Sequence, residues 1–257
     1  MVRMVRAELL RLHRSRTVWL GAVVTVVVLP LAFLALIAMV ETIRTDGGWF
    51  AEKCVEILLG PGLLGATLIG VVAGTADRTG GVLPVLVATG RPRGRLFAAR
   101  VPAVLIAVVA LSLAFWLVVG ALGFALHAEA PTVVDGVRDA PALTGAEALE
   151  LLPRILAVNV VLGLATLGIC TAGLAAAPAV GAVLGLALGI MPMVALVEKT
   201  PDWILGLMPP LATSELVGGS TFVGPVAVPV GWAVLGIALW TVGALGVGRW
   251  RLLRADV

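Results

Sequence analysis

Six long apolar stretches decide what this chain can become. They cover about Thr17–Val40, Val55–Gly74, Val101–Leu126, Ile155–Ala176, Ala179–Leu196 and Val226–Gly248. Crossing roughly 30 Å of hydrocarbon takes about 20 apolar residues at a rise of about 1.5 Å each, and each stretch is of that order. The runs are continuous rather than short and alternating, which selects α-helices over a β-barrel. Hydrophobic residues make up 60% of the 257 and charged residues 13%, at a mean hydropathy of +1.11, so the chain lacks the polar surface a soluble domain of this size needs. The sequence therefore predicts an all-α integral membrane protein, one membrane domain over residues 1–257 with six transmembrane helices.

The fourth and fifth stretches meet in "LAAAPAVGAV", which holds no charge. One kinked helix over both would be far too long for a single crossing, so a hairpin turning at Pro178 and Gly181 is expected. Charge sets the orientation. With both termini cytoplasmic, thirteen of the 18 Lys and Arg lie inside, in residues 1–16, 78–100 and 249–254. Arg44, Lys53, Arg138, Arg154 and Lys199 lie outside, while Glu8, Asp77 and Asp256 are the inside carboxylates. This is the asymmetry of the positive-inside rule.

Residues 1–16, "MVRMVRAELLRLHRSR", have the charge of a signal-peptide leader, but the following apolar run is longer than an ordinary signal core, and retention is expected. On a helix Val2, Val5, Leu9 and Leu12 share one face, with Arg3, Arg11 and Arg14 grouped opposite. Such a helix lies along cytoplasmic headgroups, held by apolar burial and anionic membrane lipid, either as a topology signal alone or also as a contact for a cytoplasmic partner. On the outer side, Thr144 with Glu147 three residues later forms a capping-box pattern at the head of the fourth stretch. Within 200–222, "WILGLMPPLA" is apolar but too short to cross, and reads as a re-entrant or interfacial segment, or as an ordinary loop with a buried patch. Gly181, Gly185 and Gly189 put a smooth stripe on the fifth stretch, read as packing within the protein with a dimer contact as the alternative.

Enzyme chemistry is not legible. There is no G-x-x-x-x-G-K-[ST], H-E-x-x-H or G-x-S-x-G, so no catalytic residue, no metal site and no directly bound cofactor is expected. Cys54 and Cys170 have no partner spacing, and His13 and His127 lie on opposite sides. The spans carry almost no charge; Glu56 and Asn159 make no relay, which disfavours an ion-driven carrier. Nothing in the sequence points to nucleic acid.

One inside segment is patterned. "ADRTGGVLPVLVATGRPRGRLFAAR" places Asp77, then Gly80, then Leu83 and Leu86 one helical turn apart, then Thr89-Gly90 and Arg93, with Leu96 and Arg100 opening the third stretch. Gly90 can close a short helix, with Pro92 after it. This segment resembles the cytoplasmic loop of ABC-2 type transporter permeases, where an acidic residue ends the second span and a Leu-rich short helix, a small-Gly step and an Arg lead into the third. The basic start "ELLRLHRSRTVWLGA", the six spans and the tail "RWRLLRADV" fit the same family. Pro84 inside the short helix, Asp77 in place of a Glu, and a fourth-to-fifth turn without basic residues depart from it.

The resemblance implies the permease subunit of an ABC exporter in a bacterial cytoplasmic (inner) membrane, with type V exporter-like architecture and both termini inside. It implies two copies of an ATP-binding subunit that hold ATP and Mg, and a second permease, identical or homologous. Residues 77–97 would be the coupling loop, with Asp77, Gly80, Leu83, Leu86, Thr89, Gly90 and Arg93 facing the ATPase. Residues 1–16 would be the connecting helix, marked by Val5, Leu9, Leu12 and Arg14, and Trp203–Val217 the outer re-entrant helices. The apolar span walls suit an amphipathic or hydrophobic cargo, a drug, lipid or peptide. A membrane anchor or assembly subunit without transport activity fits the hydropathy but leaves the patterned loop unexplained.

Overall fold

The computed structural model describes residues 1–39, 47–58, 64–79, 92–126, 143–173, 175–185, 200–209, 211–212 and 229–254. All described secondary structure is helical. Helix α1 spans Val2–Arg14, and α2 (Arg16–Val23) runs through a π-helical turn, Val24–Val28, into α3 (Leu29–Met39). Then follow α4 (Gly47–Leu58), α5 (Leu64–Thr79), α6 (Arg93–Ala125), α7 (Gly145–Thr171) and α8 (Ala176–Leu184). A short α9 (Asp202–Gly206) precedes α10 (Val230–Ala238), which continues through a second π turn, Leu239–Gly243, into α11 (Ala244–Arg254).

Four described helices are long and apolar enough to cross a membrane: Arg16–Leu36, Arg93–Ala125, Gly145–Thr171 and Val230–Arg254. They coincide with the first, third, fourth and sixth apolar stretches. Of the second stretch, residues 55–58 end α4 and residues 64–74 begin α5, and residues 59–63 between them lie outside the described residues. Of the fifth stretch, residues 186–196 lie outside the described residues.

The hairpin turn also differs from the expected one at Pro178 and Gly181. Helix α7 stops at Thr171, and Gly173 takes φ 124°, a left-handed conformation that a side chain disfavours. Pro178 instead occupies the first turn of α8, where the missing N–H would have had no intrahelical partner.

Helix α7 is the centre of the bundle, with α5, α6 and α11 packed around it. Glycine lets the backbones meet. A Cβ on Gly70 would land on the Gly163 carbonyl oxygen, and one on Gly74 would sit 2.5 Å from Cys170 Cβ. Four residues along α5 therefore match about four along α7, so the two run parallel, as helices separated by one intervening crossing must. On the far side of α7, a Cβ on Gly248 would come 2.5 Å from the Gly168 carbonyl oxygen. Gly181 and Gly185, by contrast, are exposed, and a Cβ there would meet nothing within 4 Å. The expected internal packing is absent at Gly181 and Gly185, and Gly189 lies outside the described residues; among the described residues, close backbone approach falls at glycines of α5, α7 and α11 and at Gly206 of α9 against Gly236 of α10.

Polar groups inside the bundle are spent locally. Thr75, Ser112, Thr166 and Thr171 donate to carbonyls four residues back at 2.7–2.9 Å. Asn159, 1% exposed, donates through Nδ2 to Ser112 Oγ at 3.0 Å and ties α7 to α6. The Gly65 N–H, in the first turn of α5, donates to Thr25 Oγ1 at 2.9 Å beside the first π turn.

The two ends of the bundle differ in charge. One end gathers α1, the starts of α2, α6 and α8, the end of α7 and the C-terminal helix, where Arg251 donates to the Ala172 carbonyl at 3.1 Å. The other end holds the capping box, with Thr144 N–H donating to Glu147 Oε2 at 2.7 Å and Glu147 N–H donating to Thr144 Oγ1 at 3.3 Å. It also holds the Arg154–Glu52 pair at 4.0 Å. Among the described residues, Glu8, Arg11, Arg100 and Arg251 of the expected inside set fall at the first end, and Arg154 of the expected outside set at the other.

Candidate functional site

The basic end carries the one described cluster of interhelical charge that is substantially buried. Helix α6 has 33 residues, so it is about 50 Å long, against a hydrocarbon thickness of roughly 30 Å. Some of its length must stand outside the hydrocarbon, and its first two turns, Arg93–Arg100, lie where α1 crosses it. Leu96, Phe97, Ala99, Arg100, Ala103 and Val104 form a buried face there, at i, i+3, i+4 and i+7 spacing.

Arg100 is part of that face and only 2% exposed. Its Nε lies 3.8 Å from Glu8 Oε1, and Arg11 NH2 lies 2.5 Å from Glu8 Oε2. One carboxylate on α1 therefore serves two guanidinium groups, one on its own helix and one on α6. A buried cation is costly unless paired, so Arg100 fixes where α1 sits on α6 far more sharply than apolar contact alone would. Leu12, 2% exposed, sinks into the same junction. Ser15 ends α1 and its Oγ accepts from the Val18 N–H at 3.5 Å to start α2, so the connecting turn is capped from both sides. Arg11, His13 and Arg14 fall in the last turn of α1, where cations favour the helix dipole.

Of the connecting-helix residues predicted from sequence, Leu12 is buried, Val5 and Leu9 are half-buried, and Arg14 is exposed. Val2, assigned to the same apolar face, is 81% exposed. Arg11 leaves the solvent group of Arg3 and Arg14 and turns to Glu8, because the i, i+3 spacing brings the two together at the α6 contact. In the coupling loop, Gly80, Leu83, Leu86, Thr89 and Gly90 lie outside the described residues, as does the Asp77 side chain, although the Asp77 backbone closes α5. Arg93 is the first residue of α6 and is half-buried. The structure thus delimits the loop by what flanks it: α5 ends at Thr79, and α6, already locked to α1, begins at Arg93.

Glu8 and Arg100 were not among the predicted site residues. Their signal was available: Glu8 is the only carboxylate in a strongly basic leader, and Arg100 is the last charge before a long apolar run.

At the opposite end, α9 lies against α10. A Cβ on Gly206 would strike Trp232, and Trp240 Nε1 donates to the Leu207 carbonyl at 2.8 Å. Trp240 is about 15 Å along the helix axis from Val230, so this short segment reaches well down the side of the last crossing. Leu205, Met208, Leu211 and Ala212 form the buried patch beneath it, with Ala233. Residues 213–228 lie outside the described residues.

Among the described residues no group of three or more His, Cys, Asp or Glu could hold a metal ion. The arrangement offers mechanical connection between helices. A family model described as "ABC-2 family transporter protein" matches residues 4–191, more than half of the chain, taking in most of α1, residues 77–97 and α5 to α8. No curated protein matches the chain.

Proposed function

The chain belongs to the ABC-2 transporter family, and from that premise we propose that it is the membrane-spanning permease subunit of an ATP-driven exporter. The six apolar stretches support six spans, and the charge distribution supports cytoplasmic termini. A separate ATP-binding subunit, in two copies, would hydrolyse ATP, and a second permease would complete the pathway. Residues 80–90 would form the helix that the ATPase pushes.

The observation that carries the reading is the Glu8–Arg11–Arg100 junction. A displacement of the loop enters α6 at Arg93, about two helical turns from Arg100. There α1 is held to α6 by a buried ion pair and by Leu12, so the loop, α1 and the third span move as one piece. The apolar span walls fit an amphipathic or hydrophobic cargo.

Replacing Leu83 and Leu86 with Asp and co-purifying the chain with its cognate ATPase tests the coupling role. Loss of capture and of stimulated ATP hydrolysis is expected, and undiminished binding with full stimulation refutes it. Labelling of Thr89→Cys in a Cys54→Ala, Cys170→Ala background tests orientation. Labelling of intact cells by an impermeant maleimide would place the loop outside and end the proposal.

A further inference from the structure

A second feature of the α1 end is not used by the coupling reading. Between α2 and α6, beside the first π turn, lies a cavity of about 510 Å³ lined by Leu12, Trp19, Val23, Val27, Ile106 and Ala110 among others. Ligand cavities fall at about 300–1,000 Å³. The lining is apolar apart from its rim, where the Trp19 N–H is already donated to the His13 carbonyl at 2.7 Å and the two rings meet edge to face at 5.5 Å. The wall therefore selects a hydrocarbon rather than a hydrogen-bonding ligand. It opens sideways: Trp19 is 53% and Ile106 49% exposed, on helices that cross the bilayer.

The mouth is cationic. Arg16, Trp19, Val23 and Val27 follow at spacings of three, four and four on one helical face, so exposed Arg16 stands one turn beyond Trp19 at the α1 end of the apolar slot. The neighbouring carboxylate, Glu8, is engaged by Arg11 and Arg100. An indole below an arginine at the head of a span is the arrangement that marks the headgroup level. We propose that this groove holds one acyl chain of an anionic glycerophospholipid, with its phosphate on Arg16, in the leaflet on the α1 side. An uncharged apolar compound would fill the slot but leave Arg16 unanswered. A second copy of the chain would have to answer both the arginine and a concave slot, whereas charge and shape together are met by a lipid.

The test uses the full chain in phosphatidylcholine nanodiscs doped with phosphatidylglycerol or phosphatidylcholine carrying a brominated chain, which quenches indole fluorescence on contact. Subtracting the signal of Trp19→Phe isolates Trp19. Brominated phosphatidylglycerol is expected to quench Trp19 at about one-fifth the mole fraction that brominated phosphatidylcholine requires, the ratio one basic residue near the surface confers. Arg16→Gln should erase that preference while leaving quenching by both lipids, and Ala110→Phe, which fills the slot from an outward position, should remove the preference by excluding the chain. Ala107→Leu reads the same point if Ala110→Phe does not elute as folded protein. Equal quenching by the two lipids in the parent chain, or an undiminished preference in both filled variants, overturns the proposal. A filled variant that changes the oligomeric mass without changing the lipid preference also overturns it, and assigns the groove to a contact between copies.

Discussion

Removing Glu8 should damage this protein far more than removing Arg100, and the geometry fixes why. At 3.8 Å and an effective dielectric of about 20, the Arg100–Glu8 attraction is about 4 kcal/mol before desolvation is counted. Glu8→Gln leaves Arg100, 2% exposed, without that carboxylate, and leaves Arg11 addressing the same place with like charge. Breaking a buried pair in this way costs about 3–5 kcal/mol, and about 3 is expected here because Glu8 itself is 14% exposed. Arg100→Met has the opposite character: Glu8 keeps Arg11 at 2.5 Å, a buried cation disappears and an apolar chain takes its volume, for a change within about 1 kcal/mol. The double variant should therefore recover part of the loss caused by Glu8→Gln. Thermal unfolding of the detergent-solubilised full chain, followed by helical circular dichroism, reads this out. At about 2–4 °C per kcal/mol for a chain of this size, Glu8→Gln should lower Tm by roughly 6–12 °C and the double variant by visibly less. If Arg100→Met is as damaging as Glu8→Gln, or if the double variant is the worst of the three, the shared-carboxylate junction is not what holds α1 in place.

The helix-packing glycines give a paired test: Gly168→Val, whose Cβ would strike the Ala244 backbone, should cost about 1–3 kcal/mol or prevent folding, whereas Gly181→Val should stay within about 0.5 kcal/mol by the same thermal assay. A double-mutant cycle on Ser112→Ala and Asn159→Ala should return a coupling of about 0.6–2 kcal/mol, since their 3.0 Å bond joins α6 to α7; a coupling indistinguishable from zero would mean the bond is not formed. Thr144→Ala removes the capping box and should cost about 1 kcal/mol, seen first as faster hydrogen exchange in the first turn of α7, with Thr144→Asn restoring protection.

What the sequence made legible was what hydropathy and charge encode. Four of the six apolar stretches are helices of crossing length, and, among the described residues, Glu8 and Arg100 of the inside set and Arg154 of the outside set lie at opposite ends of the bundle. What it concealed depends on partners distant in the chain. A four-residue glycine period shows that a helix has a smooth face, not that anything lies against it: Gly70 and Gly74 share that period and meet α7, whereas Gly181 and Gly185 share it and a Cβ there meets nothing within 4 Å. In the candidate site, Leu9 and Leu12 were legible from their periodicity, but Arg11 was placed with the solvent face because its partner on α6, Arg100, is 89 positions away through the Glu8 carboxylate they share. The general reason is that amphipathicity sorts residues by the medium they prefer, while a buried ion pair puts charge where the medium forbids it. Such a residue contradicts its local pattern and is held only by tertiary contact. Arg100 contradicts its surroundings in just that way, as the sole charged residue on the buried face of α6, and a position of that kind is where a helix lying on the membrane surface can be joined rigidly to one that crosses it.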